Sequence, residues 1–353
     1  MQKRFFLVSS ILSLCFTFYK VQTADVDFIL SSRIESFISQ YQVPGVAVAL
    51  YYQGREYVRT FGVAHAQKKN SVTVDTIFEI GSITKVFTST WLALESLQGT
   101  TRIGHQLRQC LSYLRTNPNA LNPITLQQLA THTSSLPLGV PIAGAANSEK
   151  DLVDAFAKWI PAYPIGTRFL YSNVGFVFLG HALQDRTGKK FFDAVKNLIL
   201  NPLQMTSTFI QVPPALVSLY AQGYKKDGTS ASRFTTLGVG SSGALRSSIK
   251  DMKQFLKANL NLIGSYQLKS AMQFAQQIFF RADKGLTVGL GWQRPLIGGI
   301  EFVNKEGGTA GFSSYIGMIP GKTMGIVLLV NKADVPTVST GRAILTDLIS
   351  STR

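Results

Sequence analysis

Residues 78–85 read Phe78-Glu79-Ile80-Gly81-Ser82-Ile83-Thr84-Lys85, and they predict a short strand followed by a helix. Gly81 interrupts the extended segment, and apolar residues then recur from Val86 to Leu97 with helical spacing. Ser82 is therefore expected at or near the helix start, with Lys85 one turn later on the same face. A desolvated lysine can act as a base for a serine hydroxyl, and a helix N-terminus favours developing negative charge. This arrangement favours nucleophilic catalysis by Ser82.

A second Ser-x-x-Lys sequence, Ser247-Ser248-Ile249-Lys250, shows that this spacing alone is a weak signal. In a chain rich in both residues the motif is expected about once by chance. Most such motifs are capped, solvated helix turns. We interpret residues 247–250 as an ordinary helix start, because only Ser82 is followed by supporting groups at 171–173 and 305–308.

The 353-residue chain has the composition of a folded globular protein, with 45% hydrophobic and 15% charged residues. It can bury a large core in one domain or in two closely packed ones. The net charge of +16 is spread along the chain without a nucleic-acid-binding motif, so we expect no nucleic-acid partner. The charge either attracts an anionic envelope or substrate, or serves only solubility.

The first 24 residues predict a cleaved secretory signal peptide. Lys3 and Arg4 precede an apolar run from Phe5 to Phe18, and cleavage is expected near Ala24 or Asp25. The alternative is an uncleaved anchor, but the run is short for a membrane span of about 20 residues. No later stretch suits a span. We therefore expect a periplasmic protein with no stable membrane span after cleavage.

Cysteine usage predicts a core without disulfides. Cys15 leaves with the leader, so Cys110 is single in the mature chain and no intrachain disulfide can form. Cys110 is expected to be a packed core residue.

Strand patterns at both chain ends enclose a helical middle, which predicts an α+β fold. Residues 46–52 and 56–61 form a predicted hairpin with its turn at Gln53-Gly54-Arg55, and residues 312–319 and 324–330 are two further strands. One antiparallel sheet from both ends would be flanked by helices. The catalytic domain would span 25–353, with an α/β lobe of about 25–85 and 240–353 and a helical lobe of about 86–239. Helices are predicted at 26–41, 124–133, 152–160, 175–186, 191–200 and 344–349, and Thr125 is expected to cap the second of them.

Two further groups can supply chemistry to the cleft between such lobes. In Tyr171-Ser172-Asn173, a tyrosine near a lysine can transfer protons, and the asparagine can bind an amide. In Lys305-Glu306-Gly307-Gly308, the lysine brings positive charge and the glycines allow a substrate backbone to approach. Taken singly, each group could equally be a half-buried aromatic residue or a solvated turn.

Together, in this order, the three groups resemble the serine β-lactamase and penicillin-binding-protein superfamily. The tyrosine makes the second group similar to the class C branch. The resemblance extends over nearly all of residues 27–350. It also includes Leu129-Ala130-Thr131-His132-Thr133, Val212-Pro213-Pro214-Ala215, Gly223-Tyr224, Gly289-Leu290-Gly291-Trp292 and Gly311-Phe312-Ser313-Ser314-Tyr315.

The resemblance implies three catalytic residues. Ser82 would be the acylated nucleophile. Lys85 and Tyr171 would share the work of the general base and protonate the leaving nitrogen.

The resemblance also implies binding groups around them. Asn173 would orient the substrate amide and Lys85, and Lys305 would support Tyr171 and the substrate carboxylate. Glu306 and Gly307 would line the substrate-binding strand. The backbone N–H groups of Ser82 and Gly308 would form the oxyanion hole. No metal or organic cofactor is implied.

Three departures from the class C pattern bear on substrate preference. Glu306 replaces a threonine near the substrate carboxylate, which an ionised glutamate would repel unless Lys305 offsets it. Gly139 replaces a glutamine that contacts the acyl amide. The connection from Trp292 to Lys305 is shortened, which would open one wall of the cleft.

The favoured function is hydrolysis of β-lactams by a monomeric periplasmic enzyme. An alternative keeps the nucleophile and changes the substrate to a D-Ala-D-Ala peptide or a carboxylic ester, and the fold alone cannot separate these activities. A third possibility is a penicillin-binding sensor that stays acylated, but the chain lacks the membrane helices and output domain that a sensor needs.

Overall fold

The structure, a computed structural model, describes residues 26–139, 148–234, 240–283 and 285–351. The predicted leader and its cleavage point lie outside these residues. Within these ranges, no helix combines the length and the apolar character that crossing a membrane requires.

The strands of the protein fall into one large antiparallel sheet and one small one. In the large sheet the order is β3-β2-β1-β12-β11-β10-β8-β7-β6, with β9 paired to β8. The small sheet pairs β4 with β5. The strands are β1 (Gly45–Tyr52), β2 (Arg55–His65), β3 (Asn70–Ser71), β4 (Ile77–Glu79), β5 (Arg246–Ser248), β6 (Phe280–Arg281), β7 (Leu286–Val288), β8 (Gln293–Ile297), β9 (Ile300–Glu301), β10 (Val303–Gly308), β11 (Ser313–Ile319) and β12 (Met324–Val330).

Helices cover the sheet and fill the middle of the chain. They are α1 (26–41), α2 (Thr84–Leu97), α3 (Leu107–Cys110), α4 (Ser112–Thr116), α5 (Leu126–Ala130), α6 (Glu149–Ala155), α7 (Asn173–Thr187), α8 (Phe191–Val195), α9 (Gly240–Gly243), α10 (Ile249–Asn259), α11 (Tyr266–Ala275) and α12 (Thr337–Ser350). Short 3₁₀ turns lie at Gly81–Ile83, Pro214–Leu219 and Pro320–Lys322, and a π turn lies at Lys196–Leu200.

The central strands come from opposite ends of the chain, as predicted. β1 lies between β2 and β12, with Val46 opposite both Phe61 and Val330. A hairpin joins β1 to β2 through Gln53 and Gly54, whose φ angles are 48° and 79°. Positive φ at both turn positions matches the twist of the flanking strands. The α+β fold with one antiparallel sheet is confirmed.

Alternation along β1 gives the large sheet two packed faces. Val46, Val48 and Leu50 lie in a core with α1 and α12, whereas Ala47 and Ala49 lie in the core shared with the remaining helices. Period-two alternation sends neighbouring side chains to opposite faces. Both faces are covered, so β1 is apolar at nearly every position.

Several predicted boundaries were wrong. The helix predicted at 152–160 is α6, which starts earlier because the Ser148 hydroxyl accepts from the N–H of Asp151. The helix predicted at 191–200 changes to π-type hydrogen bonding at Lys196. β2 runs on to His65, because its end pairs with β3.

Other local predictions hold. Thr125 caps α5, accepting from the N–H of Gln128. Ser248 caps α10, which makes the second Ser-x-x-Lys an ordinary helix start. Cys110 is buried and free of a disulfide. The division into lobes of about 25–85 with 240–353 and about 86–239 stays a prediction.

Candidate active site

Ser82 sits on the tight turn between β4 and α2. Gly81 has a φ of +48°, a left-handed conformation that glycine adopts without strain. The 3₁₀ turn Gly81–Ile83 then leads directly into α2. Ser82 is half-buried, and Lys85, on the first turn of α2, is fully buried.

Tyr171 and Asn173 flank the start of α7. Ser172 caps this helix, because its hydroxyl accepts from the N–H of Gly175 at 2.9 Å. The Ser172 hydroxyl also donates to the carbonyl of Pro137 at 2.6 Å, and the N–H of Asn173 donates to the carbonyl of Leu138 at 3.0 Å. The loop around Pro137 therefore fixes the helix start that carries both side chains.

Lys305 comes from β10, whose register with β11 is continuous from Val303 to Gly308. Its side chain is 1% exposed, whereas the next residue, Glu306, is exposed. The end of β10 lies against the turn that carries Ser82. A Cβ on Gly81 would fall 2.7 Å from the amide nitrogen of Gly308. The backbone of Gly308 therefore lies against the residue that precedes Ser82.

The predicted side chains converge on the Ser82 hydroxyl. Lys85 Nζ lies 3.0 Å from Ser82 Oγ, and Tyr171 Oη donates to the same oxygen at 2.7 Å. Lys85 Nζ also donates to Asn173 Oδ1 at 2.7 Å and to the Ser242 carbonyl at 2.6 Å. Lys305 Nζ lies 3.5 Å from Tyr171 Oη. Five of the six predicted side chains therefore belong to one connected group, and Glu306 lies outside it.

Burial dominates the electrostatics of this group. It lowers the pKa of Lys85 well below its usual value, and the charge of Lys305 adds to the effect. Burial likewise lowers the pKa of Lys305 to about 8, with Glu306 opposing the shift. The pKa of Tyr171 is raised to about 12, mainly because burial disfavours the phenolate. The group thus combines an amine whose charged form is disfavoured by burial with a phenol that holds its proton.

An open cleft of about 550 Å³ leads to Ser82 and Tyr171. Glu306, Gly307 and Gly308 of β10 form part of its lining, and the start of α12 forms another part. Arg342 of α12 also reaches this cleft, but its Nε and Nη2 donate to Asn304 Oδ1 at 3.1 and 2.6 Å. Glu306 has no ion-pair partner among the described residues.

Sequence reasoning missed two contributors. The Ser242 carbonyl binds Lys85, but a backbone acceptor leaves no residue-specific signal in the sequence. The ring of His132 lies against Tyr171, with centroids 4.4 Å apart. Two of the departures noted in the sequence can be located in the structure. The connection from Trp292 to Lys305 contains the tight β8–β9 hairpin, which turns at Gly298 and Gly299. Gly139 is exposed.

Comparisons with known proteins show the family of this chain. The sequence model of the β-lactamase family matches residues 30–349. A β-lactamase of Escherichia coli (strain K12) is 31% identical over 352 residues, which covers 90% of this chain and 91% of that protein. A β-lactamase of Pseudomonas fluorescens is 28% identical, covering 87% and 94% of the two chains.

Solved structures are similar over the same extent. A class C β-lactamase in complex with cefoxitin gives a TM-score of 0.86 at 23% identity, covering 92% of this chain and 99% of that one. The D-alanine carboxypeptidase AmpC from Burkholderia cenocepacia gives 0.83 at 28% identity, with coverage of 92% and 99%. The chain therefore belongs to the β-lactamase family of serine hydrolases.

Proposed function

We propose that this protein opens β-lactam rings through a covalent acyl-enzyme formed on Ser82. The observation that carries the proposal is the pair of contacts at Ser82 Oγ, 3.0 Å from Lys85 Nζ and 2.7 Å from Tyr171 Oη. A serine hydroxyl held by a base and by a second proton-transfer group is the arrangement that nucleophilic catalysis needs.

Lys85 is the base in the resting enzyme. A neutral amine has two N–H donors, and its two shortest contacts, to Asn173 Oδ1 and the Ser242 carbonyl, accept them. The lone pair is then free for the longer contact to Ser82, whose hydroxyl can donate its proton. Tyr171, with a pKa of about 12, stays protonated and can act as the acid.

The reaction proceeds by acylation and hydrolysis. Ser82 Oγ attacks the β-lactam carbonyl carbon as its proton passes to Lys85, and the oxyanion binds the N–H groups of Ser82 and Gly308. The carbon–nitrogen bond then breaks, and the nitrogen takes a proton from Tyr171, which Lys85 restores. Water, deprotonated by the same pair, hydrolyses the ester and frees Ser82. Asn173 and Gly307 orient the bound substrate along β10.

We expect the substrate preference of this protein to depend on the wall of the cleft that carries Glu306. A D-alanine carboxypeptidase is among the similar structures, so a D-Ala-D-Ala peptide or an ester is the second candidate substrate. A β-lactam carries a carboxylate, which Glu306 repels and Lys305 attracts.

We further propose that the protein is a periplasmic monomer released by cleavage of its signal peptide. N-terminal sequencing of the exported protein tests the cleavage.

Replacing Ser82 by alanine is expected to abolish covalent labelling by a fluorescent penicillin and to lower β-lactam turnover by at least about 10³-fold. Mass spectrometry of the wild type should place the adduct on Ser82. Ser247→Ala is the matched control from the second Ser-x-x-Lys, and it should still be labelled. An adduct on any other serine would rule out the assigned nucleophile.

The affinity for anionic substrates is expected to depend on pH through Lys305. Its pKa is about 8, so the ammonium loses its proton as the pH rises from 7 to 9. KM for an anionic β-lactam should then rise by roughly tenfold or less, because one favourable charge is lost. Lys305→Arg, which stays charged in this range, should remove the rise. A wild-type KM that is flat from pH 7 to 9 would contradict the role of Lys305.

Glu306→Thr is expected to lower KM for anionic β-lactams by roughly tenfold or less, with a smaller change in kcat. The substrate carboxylate does not react, so its repulsion by Glu306 acts equally on the bound substrate and the transition state. The gain should shrink at high salt, and an uncharged ester should show little change.

Glu35→Thr is the control for this substitution, because Glu35 is exposed on α1, away from the cleft lining. An unchanged KM in Glu306→Thr would show that Glu306 does not face the substrate. Activity on β-lactams that appears only in this variant would favour a peptide or an ester as the natural substrate.

A further inference from the structure

His132 is a buried histidine in the loop that follows α5, and the acylation steps above do not use it. Its side chain is 1% exposed, and its backbone has a φ of +58°, which is unusual for a residue other than glycine. Such a conformation persists only where the surroundings hold it in place. The contacts of His132 show that it holds the backbone on both sides of Tyr171.

Three contacts join His132 to the segment 170–172. Its carbonyl accepts from the N–H of Leu170 at 2.7 Å, and its Nδ1 accepts from the N–H of Ser172 at 3.1 Å. Between these two anchors, its ring lies against the Tyr171 ring, with centroids 4.4 Å apart and planes inclined at 32°. One residue therefore fixes the backbone on both sides of Tyr171 and also touches its side chain.

The other neighbours of the His132 ring keep it neutral. Phe169 and Phe176 pack against it at 5.6 and 5.1 Å, and its Nε2 has no hydrogen-bond partner among the described residues. Burial lowers the pKa of His132 well below its usual value, and the charges of Lys305 and Lys85 add to the shift. Because Nδ1 accepts a hydrogen bond, the single ring proton lies on Nε2.

A neutral ring matters because two lysines already surround the phenol. Lys305 Nζ lies 4.4 Å and Lys85 Nζ lies 5.1 Å from the centre of the Tyr171 ring. An imidazolium at this position would place a further cation beside Lys305 and would lose the Nδ1 acceptor. A neutral imidazole supplies both an aromatic face and an acceptor without adding charge.

We propose that His132 is the positioning residue for Tyr171, holding its hydroxyl on Ser82 through the Nδ1 bond to the Ser172 N–H and through ring contact. The inference rests on the proposed acylation of Ser82 and extends it to a residue that does not touch the substrate. His132 has two roles here that substitutions can distinguish. The hydrogen bond to the Ser172 N–H needs an acceptor at the position of Nδ1, whereas the contact with the Tyr171 ring needs only an aromatic ring.

The test compares three variants with wild type in single-turnover acylation by a fluorescent penicillin. His132→Phe keeps a ring but removes the acceptor. His132→Asn loses the ring, but its side-chain oxygen can occupy the position of Nδ1. His132→Gln carries its amide one bond further out and cannot reproduce that position as well. His65→Phe, the same substitution at a distant histidine on β2, is the matched control.

We expect His132→Phe to slow acylation by roughly 100-fold, because a small displacement of a reacting group costs about that much. The dissociation constant of the non-covalent complex, obtained from rate saturation, should change by about threefold or less, since His132 is not in the cleft lining. His132→Asn should recover roughly tenfold or more of the lost rate, and His132→Gln should not.

Wild-type acylation rates in His132→Phe would overturn the inference, as would equal rates in the asparagine and glutamine variants. If His132→Phe shows no cooperative thermal transition and is therefore unfolded, the comparison of acylation rates between His132→Asn and His132→Gln decides the question alone. A wild type that forms no adduct would overturn the proposed function, and this inference with it. A labelled wild type with an unaffected His132→Phe would overturn the inference only.

Discussion

The turn that carries Ser82 and the end of β10 approach each other backbone to backbone, and the group of side chains around Ser82 depends on this contact. A Cβ on Gly307 would collide with the carbonyl oxygen of Ile80, and one on Gly81 would crowd the backbone of Gly308. The Ser314 hydroxyl donates to the same Ile80 carbonyl at 2.9 Å and fixes the approach. Glycine alone permits this spacing, which brings the backbone of Gly308 against the Ser82 turn, where we propose the oxyanion hole.

The second constraint is the burial of two lysines without carboxylate partners. Neither Lys85 nor Lys305 takes part in an ion pair among the described residues. Burying an unpaired charge is so unfavourable that the group tends to lose its proton instead. The pKa of each lysine is lowered accordingly, and Lys85 contacts the Ser82 hydroxyl. In the proposed mechanism, this burial prepares Lys85 to act as the base before any substrate binds.

Local patterns predicted much of this structure, because their causes lie within a few residues. The Ser82–Lys85 spacing, the Thr125 cap and the Gln53-Gly54 turn are set by neighbours along the chain, and each appears where it was expected. The order Ser82, Tyr171, Lys305 also identified the family. The start of α6 was predicted too late, because the apolar pattern begins at Leu152 but the capping residue Ser148 starts the helix at Glu149.

Contacts between distant segments could not be predicted in the same way. The Ser242 carbonyl that binds Lys85 is a backbone group, and any residue could supply it. The Nδ1 bond from His132 joins segments 40 residues apart, and it depends on an unusual backbone angle. β8 was missed because Pro295 lies inside it and its residues are only partly buried. These features follow from packing and not from local sequence.

We propose that the approach of β10 to the Ser82 turn builds one site for a tetrahedral oxyanion. This can be tested by a crystal structure with a boronic acid, whose boron adds reversibly to a serine hydroxyl. We expect a bond from boron to Ser82 Oγ, with one boron oxygen within hydrogen-bonding distance of the amide nitrogens of Ser82 and Gly308. The other boron oxygen should lie near Tyr171 Oη. A boronate bound elsewhere, or one whose oxygens contact neither amide, would rule out this oxyanion site.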